Sequence, residues 1–239
     1  MKLNRRLFLL AGLSGTFAAT VGFFFKGRFF SRLLEQNTSD EVLFHVDTRQ
    51  KVVALTIDDA PHADLTPQIL DVLADYKIPA TFFIIGNQVP GNEALMRRIV
   101  AEGHELGNHL MTDERSIALS PEEFEQQLAN THRLITPFGP VRWFRPGSGW
   151  YSERMLAQIR PYQYRCVIGF VYPYDAHVHS VEFASSYILG NTQPGSIIIL
   201  HDGSLERQAT PDILRWIVPA LKKRGYRFAT LSGLTALSS

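Results

Sequence analysis

Two aspartates stand side by side, Asp58 and Asp59, where the apolar run of "KVVALTIDDAPH" gives out. Like charges that close repel, and a carboxylate held away from water is costly unless something compensates it. A bound cation or an arginine would do so, and the chain offers both kinds of partner at similar places. "HELGN" leads into His109, with Asp113 four residues on. "VRWF" leads into Arg145-Pro146-Gly147, "VIGFVYPY" into Asp175, and "SIIIL" into His201-Asp202. Carboxylate oxygens and imidazole nitrogens bind divalent cations, and guanidinium pairs with carboxylate. The chemistry on offer is cation binding together with proton transfer.

Each group also has a plainer reading. Asp58-Asp59 before Pro61 can be a strand-ending turn, and Asp175 after Pro173 ordinary turn chemistry. His109 and His201 can be hydrogen-bonded core histidines, Asp113 a helix cap, and Arg145 a surface ion pair. Trp150 and Tyr151 can be packing residues, and His177 and His179 plain loop residues. What weighs against these readings is that five segments deliver an ionisable group at the same end.

The elements that must position these groups alternate. Strand-like runs are "KVVALTI", "ATFFII", "CVIGFVY", "SIIIL" and "RFATL". Helical patterns lie between them. "TPQILDVLADYK" places Ile69, Leu70 and Leu73 on one face, and "NEALMRRIVAEG" stops at Gly103. "SPEEFEQQLANTHRLI" carries a capping box, Ser120 with Glu123, and Pro121 at the first turn. "TPDILRWIVPALKKRG" starts with Thr210-Pro211 and ends before Gly225. Such alternation predicts a parallel sheet covered on both faces, either a barrel or a doubly wound sheet. In both, functional groups gather at the carboxyl ends of the strands.

With 239 residues, 45% hydrophobic and 20% charged, the chain suits one domain with a short appendage. Its net charge of +1 and the lack of a basic stripe argue against nucleic acid as a partner. Cys166 is the one cysteine, which excludes a disulfide framework and a cysteine-based zinc site. Leu7 to Phe25 is uncharged and would span about 28 Å as a helix, close to a bilayer core. Residues 1–28 therefore read as a signal or membrane anchor, 29–41 as a juxtamembrane linker and 42–239 as the globular domain. The small-x-small cleavage candidates, Thr16 and Ala18, lie within the apolar run, which continues through Val21 to Phe25 and favours a retained anchor. "NRRLFLL" is similar to a twin-arginine export signal.

From Gln50 to Leu231 the motifs together resemble the polysaccharide deacetylase family, the NodB-homology carbohydrate esterases. "TIDDAP", "GNHLMTD", "RPGSG", "VYPYD" and "ILHDG" are similar, in order, to that family's motifs. The resemblance implies a distorted (β/α) barrel of about seven strands, preceded by the N-terminal hydrophobic helix. It implies a divalent metal, zinc first, with cobalt, nickel or manganese as alternatives. Asp59 and His109 would be ligands, with Asp113 where the family usually has a second histidine. Asp58 would be the base and His201 the acid that protonates the leaving group. Arg145 would hold Asp58, and Asp175 would brace Arg145. Backbone N–H groups around Gly147 and Ser148 would bind the oxyanion. Trp150 and Tyr151 would offer a sugar-stacking surface.

The activity so implied is removal of N-acetyl, or less readily O-acetyl, groups from an acetylated polysaccharide or oligosaccharide. The domain would be tethered to a membrane outside the cytoplasm, or secreted. Two other functions fit the same residues: a catalytically weak carbohydrate-binding protein, and a hydrolase of small cyclic amides. No Gly-x-Ser-x-Gly elbow and no phosphate-binding glycine loop is present.

Overall fold

Strand β2 (Val52–Ala60) is buried along its whole length and organises the domain. Its alternate residues part company, as the two-residue period of a strand requires. Val53, Leu55 and Ile57 join the core packed under the outer helices, whereas Val52 and Ala54 face a second cluster with Phe83, Trp143, Val167 and Ile197. Thr56 and Asp58 continue that inward face.

The computed structural model describes residues 41–204 and 209–238. The expected anchor and most of the linker, residues 1–40, lie outside the described residues. Within them, no helix is long and apolar enough to cross a membrane.

In chain order, β1 (Val42–Leu43) and β2 precede α1 (Leu65–Tyr76), β3 (Thr81–Ile84), α2 (Glu93–Ala101) and β4 (Glu105–Asn108). Then come α3 (Pro121–Ile135), β5 (Val141–Phe144), α4 (Glu153–Ile159), β6 (Arg165–Val167) and α5 (Val181–Asn191). The domain ends with β7 (Ile197–His201), α6 (Ala209–Lys223), β8 (Arg227–Ala229) and α7 (Leu231–Thr235). Seven strands form a parallel path, β1-β6-β5-β4-β3-β2-β7, and β8 pairs with the first residues of β2. Single bridges, His45 with Ser196 and Val171 with Ile198, join the two edges. The result is the expected distorted (β/α) barrel, with one more strand than anticipated. Leu231 and Leu234 of α7 pack against its inner cluster.

The capping box of α3 forms as expected: the Ser120 hydroxyl accepts from Glu123 N–H, and Glu123 accepts from Ser120 N–H. Helix α6 runs on through Pro219. The run "CVIGFVY" is not one strand. β6 stops at Val167, and the chain swings across to β7, where Ile199 N–H donates to the Val171 carbonyl. Gly169 permits the swing: it has φ 81, and a Cβ there would meet Ile199 Cδ1 at 2.9 Å.

His104, before β4, is a buried histidine held neutral. Its Nδ1 accepts the Ala80 N–H at 3.0 Å, and burial pushes its pKa down to about 4. The unfolded chain takes up this proton near pH 6.5 and the folded chain only near 4. The stability the neutral ring supports is thus complete above pH 6.5 and is lost as pH falls towards 4. Denaturant titrations should show roughly 3 kcal/mol less stability at pH 4 than at pH 7 from this residue alone. His104→Asn, which retains an acceptor, should flatten that dependence.

Candidate active site

The opening aspartates are separated by a bulge. Ile57 and Ala60 of β2 align with Phe82 and Ile84 of β3, so three steps on one strand match two on the other. Asp59 takes up the extra residue at φ 64, a conformation that aspartate tolerates better than most side chains. Asp58 stays on the inward face and Asp59 turns away from it.

Asp58 meets Arg145, which follows β5. Arg145 Nη1 donates to Asp58 Oδ1 at 2.5 Å and to Thr56 Oγ1 at 2.8 Å, and Nε donates to the Val167 carbonyl at 3.0 Å. The guanidinium lies over the Phe83 ring, 4.1 Å from its centroid. Both members of the pair are buried, Asp58 at 4% and Arg145 at 3% exposure. Loss of either would strand a charge in the barrel, a change that costs about 3–5 kcal/mol.

Asp59 meets His109, after β4, with Nε2 and Oδ1 3.4 Å apart. The other imidazole nitrogen, Nδ1, lies 2.6 Å from the Arg145 carbonyl. A carbonyl only accepts, so Nδ1 carries a proton, and Nε2 is the nitrogen left to face Asp59, as a protonated partner of the carboxylate or, with that proton given up, as a ligand. Burial opposes charge on His109, but the Asp59 and Asp58 carboxylates outweigh it and push the pKa up to about 9. Asp113 completes the cluster, with ligand atoms of all three residues within 4.8 Å of one another. An imidazole nitrogen and two carboxylates converging in this way fit a divalent cation, which would take the place of the Nε2 proton. His109 and Asp113 do not meet across a helical turn, as spacing alone suggests. Residues 111–114 are a bend, and Leu110 before them has φ 62.

His201, at the end of β7, is held by Asp175. Its backbone N–H donates to Asp175 Oδ2 at 2.9 Å, and its Nδ1 is 3.0 Å from Oδ1. Burial resists protonation of His201, but the Asp175 charge and hydrogen bond prevail and raise its pKa. This corrects the expectation that Asp175 braces Arg145. The swing of the chain at Gly169 carries "VYPYD" over β7, so Asp175 lands beside His201.

The structure narrows two further expectations. Gly147 N–H donates to Ser116 Oγ at 2.7 Å and is committed to the loop, which leaves Ser148, a cavity-lining residue, of the expected pair. Tyr151 packs against the core cluster that contains Met155 and Leu156. Trp150 is 62% exposed and does not line the cavity. That cavity, of about 480 Å³, is bounded by Asp58, His109, Asp113, Arg145, Ser148 and His201. Tyr172 and Tyr174 also line it, and His177 stands at its edge rather than in the ligand cluster. The alternation of Tyr172 and Tyr174 in "VYPYD" is the sequence signal for their shared place in the lining.

Asp202 is a second residue that sequence reasoning passed over. It is fully buried, and burial pushes its carboxyl up to about 7 against hydrogen bonds from Thr66 and Gly203. Thr66 Oγ1 donates to Asp202 Oδ2 and accepts the His62 N–H at 2.7 Å. Asp202 N–H donates to the Asp58 carbonyl at 2.8 Å. Gly203, at φ 87, lies so close behind Asp59 that a Cβ there would sit 2.7 Å from Asp59 Cβ. This group supports the turn that carries both aspartates.

Three residues that could hold a cation, a carboxylate–arginine pair and a histidine–carboxylate pair around one cavity are a donor set suited to hydrolysis on a (β/α) barrel. The comparisons agree. The family described as polysaccharide deacetylase matches residues 45–167. A peptidoglycan-N-acetylglucosamine deacetylase of Bacillus cereus is 35% identical over 197 residues, 81% of this chain and 92% of that protein. A chitooligosaccharide deacetylase of Sinorhizobium fredii is 35% identical over 192 residues, 75% of this chain and 89% of that protein. The crystal structure of a peptidoglycan N-acetylglucosamine deacetylase superposes with a TM-score of 0.78 at 30% identity, covering 83% of this chain and 94% of its own. The chain belongs to the polysaccharide deacetylase family and is an enzyme of that class.

Thr66→Val removes the hydroxyl that donates to Asp202 and accepts from His62, without touching a ligand. Zinc affinity, read by competition with a chromophoric chelator, should fall about 10–100-fold. Far-UV circular dichroism should remain that of the wild type.

Proposed function

We propose that this enzyme removes N-acetyl groups from a glucosamine-containing glycan of the chitooligosaccharide or peptidoglycan type. The observation that carries the reading is the convergence of Asp59, His109 and Asp113 beside Asp58–Arg145 and His201–Asp175 in one cavity. The activities of the relatives support the substrate class. Asp59, His109 and Asp113 would hold the cation. Zinc suits one imidazole and two carboxylates, and cobalt, nickel and manganese accept the same donors. When bound, the cation polarises the acetyl carbonyl and makes water more acidic.

The remaining work falls to the chain. Asp58, oriented by Arg145, takes a proton from the attacking water. As the amide C–N bond breaks, His201 gives a proton to the departing amine, and Asp175 steadies the imidazolium. Acetate and the free amine are the products. Residues 1–28, with their charge-flanked apolar run, support a membrane anchor and export by the twin-arginine route.

Asp58→Asn should keep metal and lose about 10²–10⁴-fold in acetate release from acetylated glucosamine oligomers. Metal content and turnover measured together test this; loss of metal from Asp58→Asn would reverse the roles of the two aspartates. Asp113→Ala should lose both metal and turnover. A wild type that binds metal and glycan yet releases no acetate would be a binding protein instead.

The pH profile tests the acid. His201 must be protonated to act, and Asp175 raises its pKa. Asp175→Asn should therefore move the alkaline limb of the kcat/KM profile to lower pH. An unmoved limb would remove His201 from that role.

A further inference from the structure

The segment between β6 and β7 carries a row of aromatic rings that the reaction itself does not use. Tyr172 stands edge-on to His201, with centroids 5.7 Å apart. Tyr174 follows 4.9 Å from Tyr172, and Tyr187 of α5 lies 5.9 Å from Tyr174. Phe183, one turn back along α5, lies 6.3 Å from Tyr187. The row begins in the catalytic cavity, which Tyr172 and Tyr174 line, and ends on the surface. There Tyr174 is 39%, Val178 41% and Phe183 38% exposed.

Single exposed apolar side chains are ordinary, but a group of them at the mouth of a site marks a binding surface. Packing accounts for Tyr187, which lies against the main core, but not for Phe183 and Val178. Tyr174 adds a second observation. It has φ 60, an unfavourable conformation for a bulky side chain. Its carbonyl accepts the N–H groups of His177 and Val178, at 2.9 and 2.7 Å, which locks the turn in that state. Residues held in such conformations concentrate where a ligand is gripped.

We propose that Tyr174, Tyr187 and Phe183, with Val178 at the rim, form a sugar-binding track that continues the catalytic cavity along the surface. It holds pyranose rings of the glycan chain beyond the unit that loses its acetyl group. The apolar faces of such rings match aromatic faces, and tyrosine hydroxyls serve the sugar hydroxyls. The identity of the occupant rests on the deacetylase reading. The track makes this a chain-length-selective enzyme, since binding remote units helps to fix the reacting one.

The test compares wild type, Phe183→Ala and Phe183→Trp. Calorimetry on the metal-free proteins measures affinity for the disaccharide and the hexasaccharide of N-acetylglucosamine. Phe183→Ala should lower the hexasaccharide-to-disaccharide affinity ratio about tenfold, and Phe183→Trp should restore it. Ala is a good helix residue, so α5 keeps its form, and circular dichroism checks this. A uniform loss for both sugars, no loss, or no hexasaccharide binding by the wild type overturns the track. So does a change in oligomeric state with sugar affinity unaltered, which would make the surface an interface between copies. Hexasaccharide binding without acetate release from the metal-loaded wild type would remove the deacetylase reading and leave the track standing. Acetate release with no length effect in the variants would do the reverse.

Discussion

Asp58 and Asp59 bring two carboxyl groups within one peptide unit of each other, both almost wholly buried. The bulge in β2 makes this tolerable. Without the extra residue, a regular strand would send Asp59 to the opposite face, among the helix-side core residues Val53, Leu55 and Ile57. With it, Asp59 turns towards the mouth, and each carboxylate acquires its own source of positive charge. Asp58 takes Arg145. Asp59 joins His109 and Asp113 in a set suited to a cation.

The rest of the site follows from keeping that arrangement in place. Arg145 serves twice, its side chain on Asp58 and its carbonyl on His109. The carbonyl holds Nδ1 as a donor and turns Nε2 towards Asp59, so one residue at the end of β5 orients both Asp58 and His109. Behind them, Asp202, Thr66 and Gly203 fill the space under the turn. The close approach of Gly203 leaves Asp59 no room to relax away from the mouth. A buried polar network of this kind is stable because nearly every member has a partner. The same feature makes single replacements within it expensive.

Asp175 illustrates how far local chemistry reaches. The family resemblance implies that Asp175 braces Arg145. In the protein, β6 stops early and the chain crosses to β7, so the carboxylate arrives at His201 instead. Gly147 shows the complementary case. A glycine in a loop beside the site offers its N–H in principle, yet Ser116 from a different loop already takes it. Tyr151, which the sequence leaves as either a sugar-stacking or a packing residue, lies partly buried against a core cluster.

Much of the fold and the site was legible along the chain. The two-residue and helical periods of the apolar residues, the Ser120–Glu123 cap and the strand-end placement of ionisable groups are all local consequences of backbone geometry. They determined a parallel β/α architecture and the membership of the site: Asp58, Asp59, His109, Asp113, Arg145 and His201. Partnership was decided only by tertiary structure. Which carboxylate meets the arginine, why Asp113 reaches His109 without a helix, which carboxylate braces His201, and which aromatics line the cavity all depend on one bulge, on Leu110 at positive φ, and on one early strand end. Contacts between distant segments turn on shifts of a single residue in register, and no local period encodes such a shift.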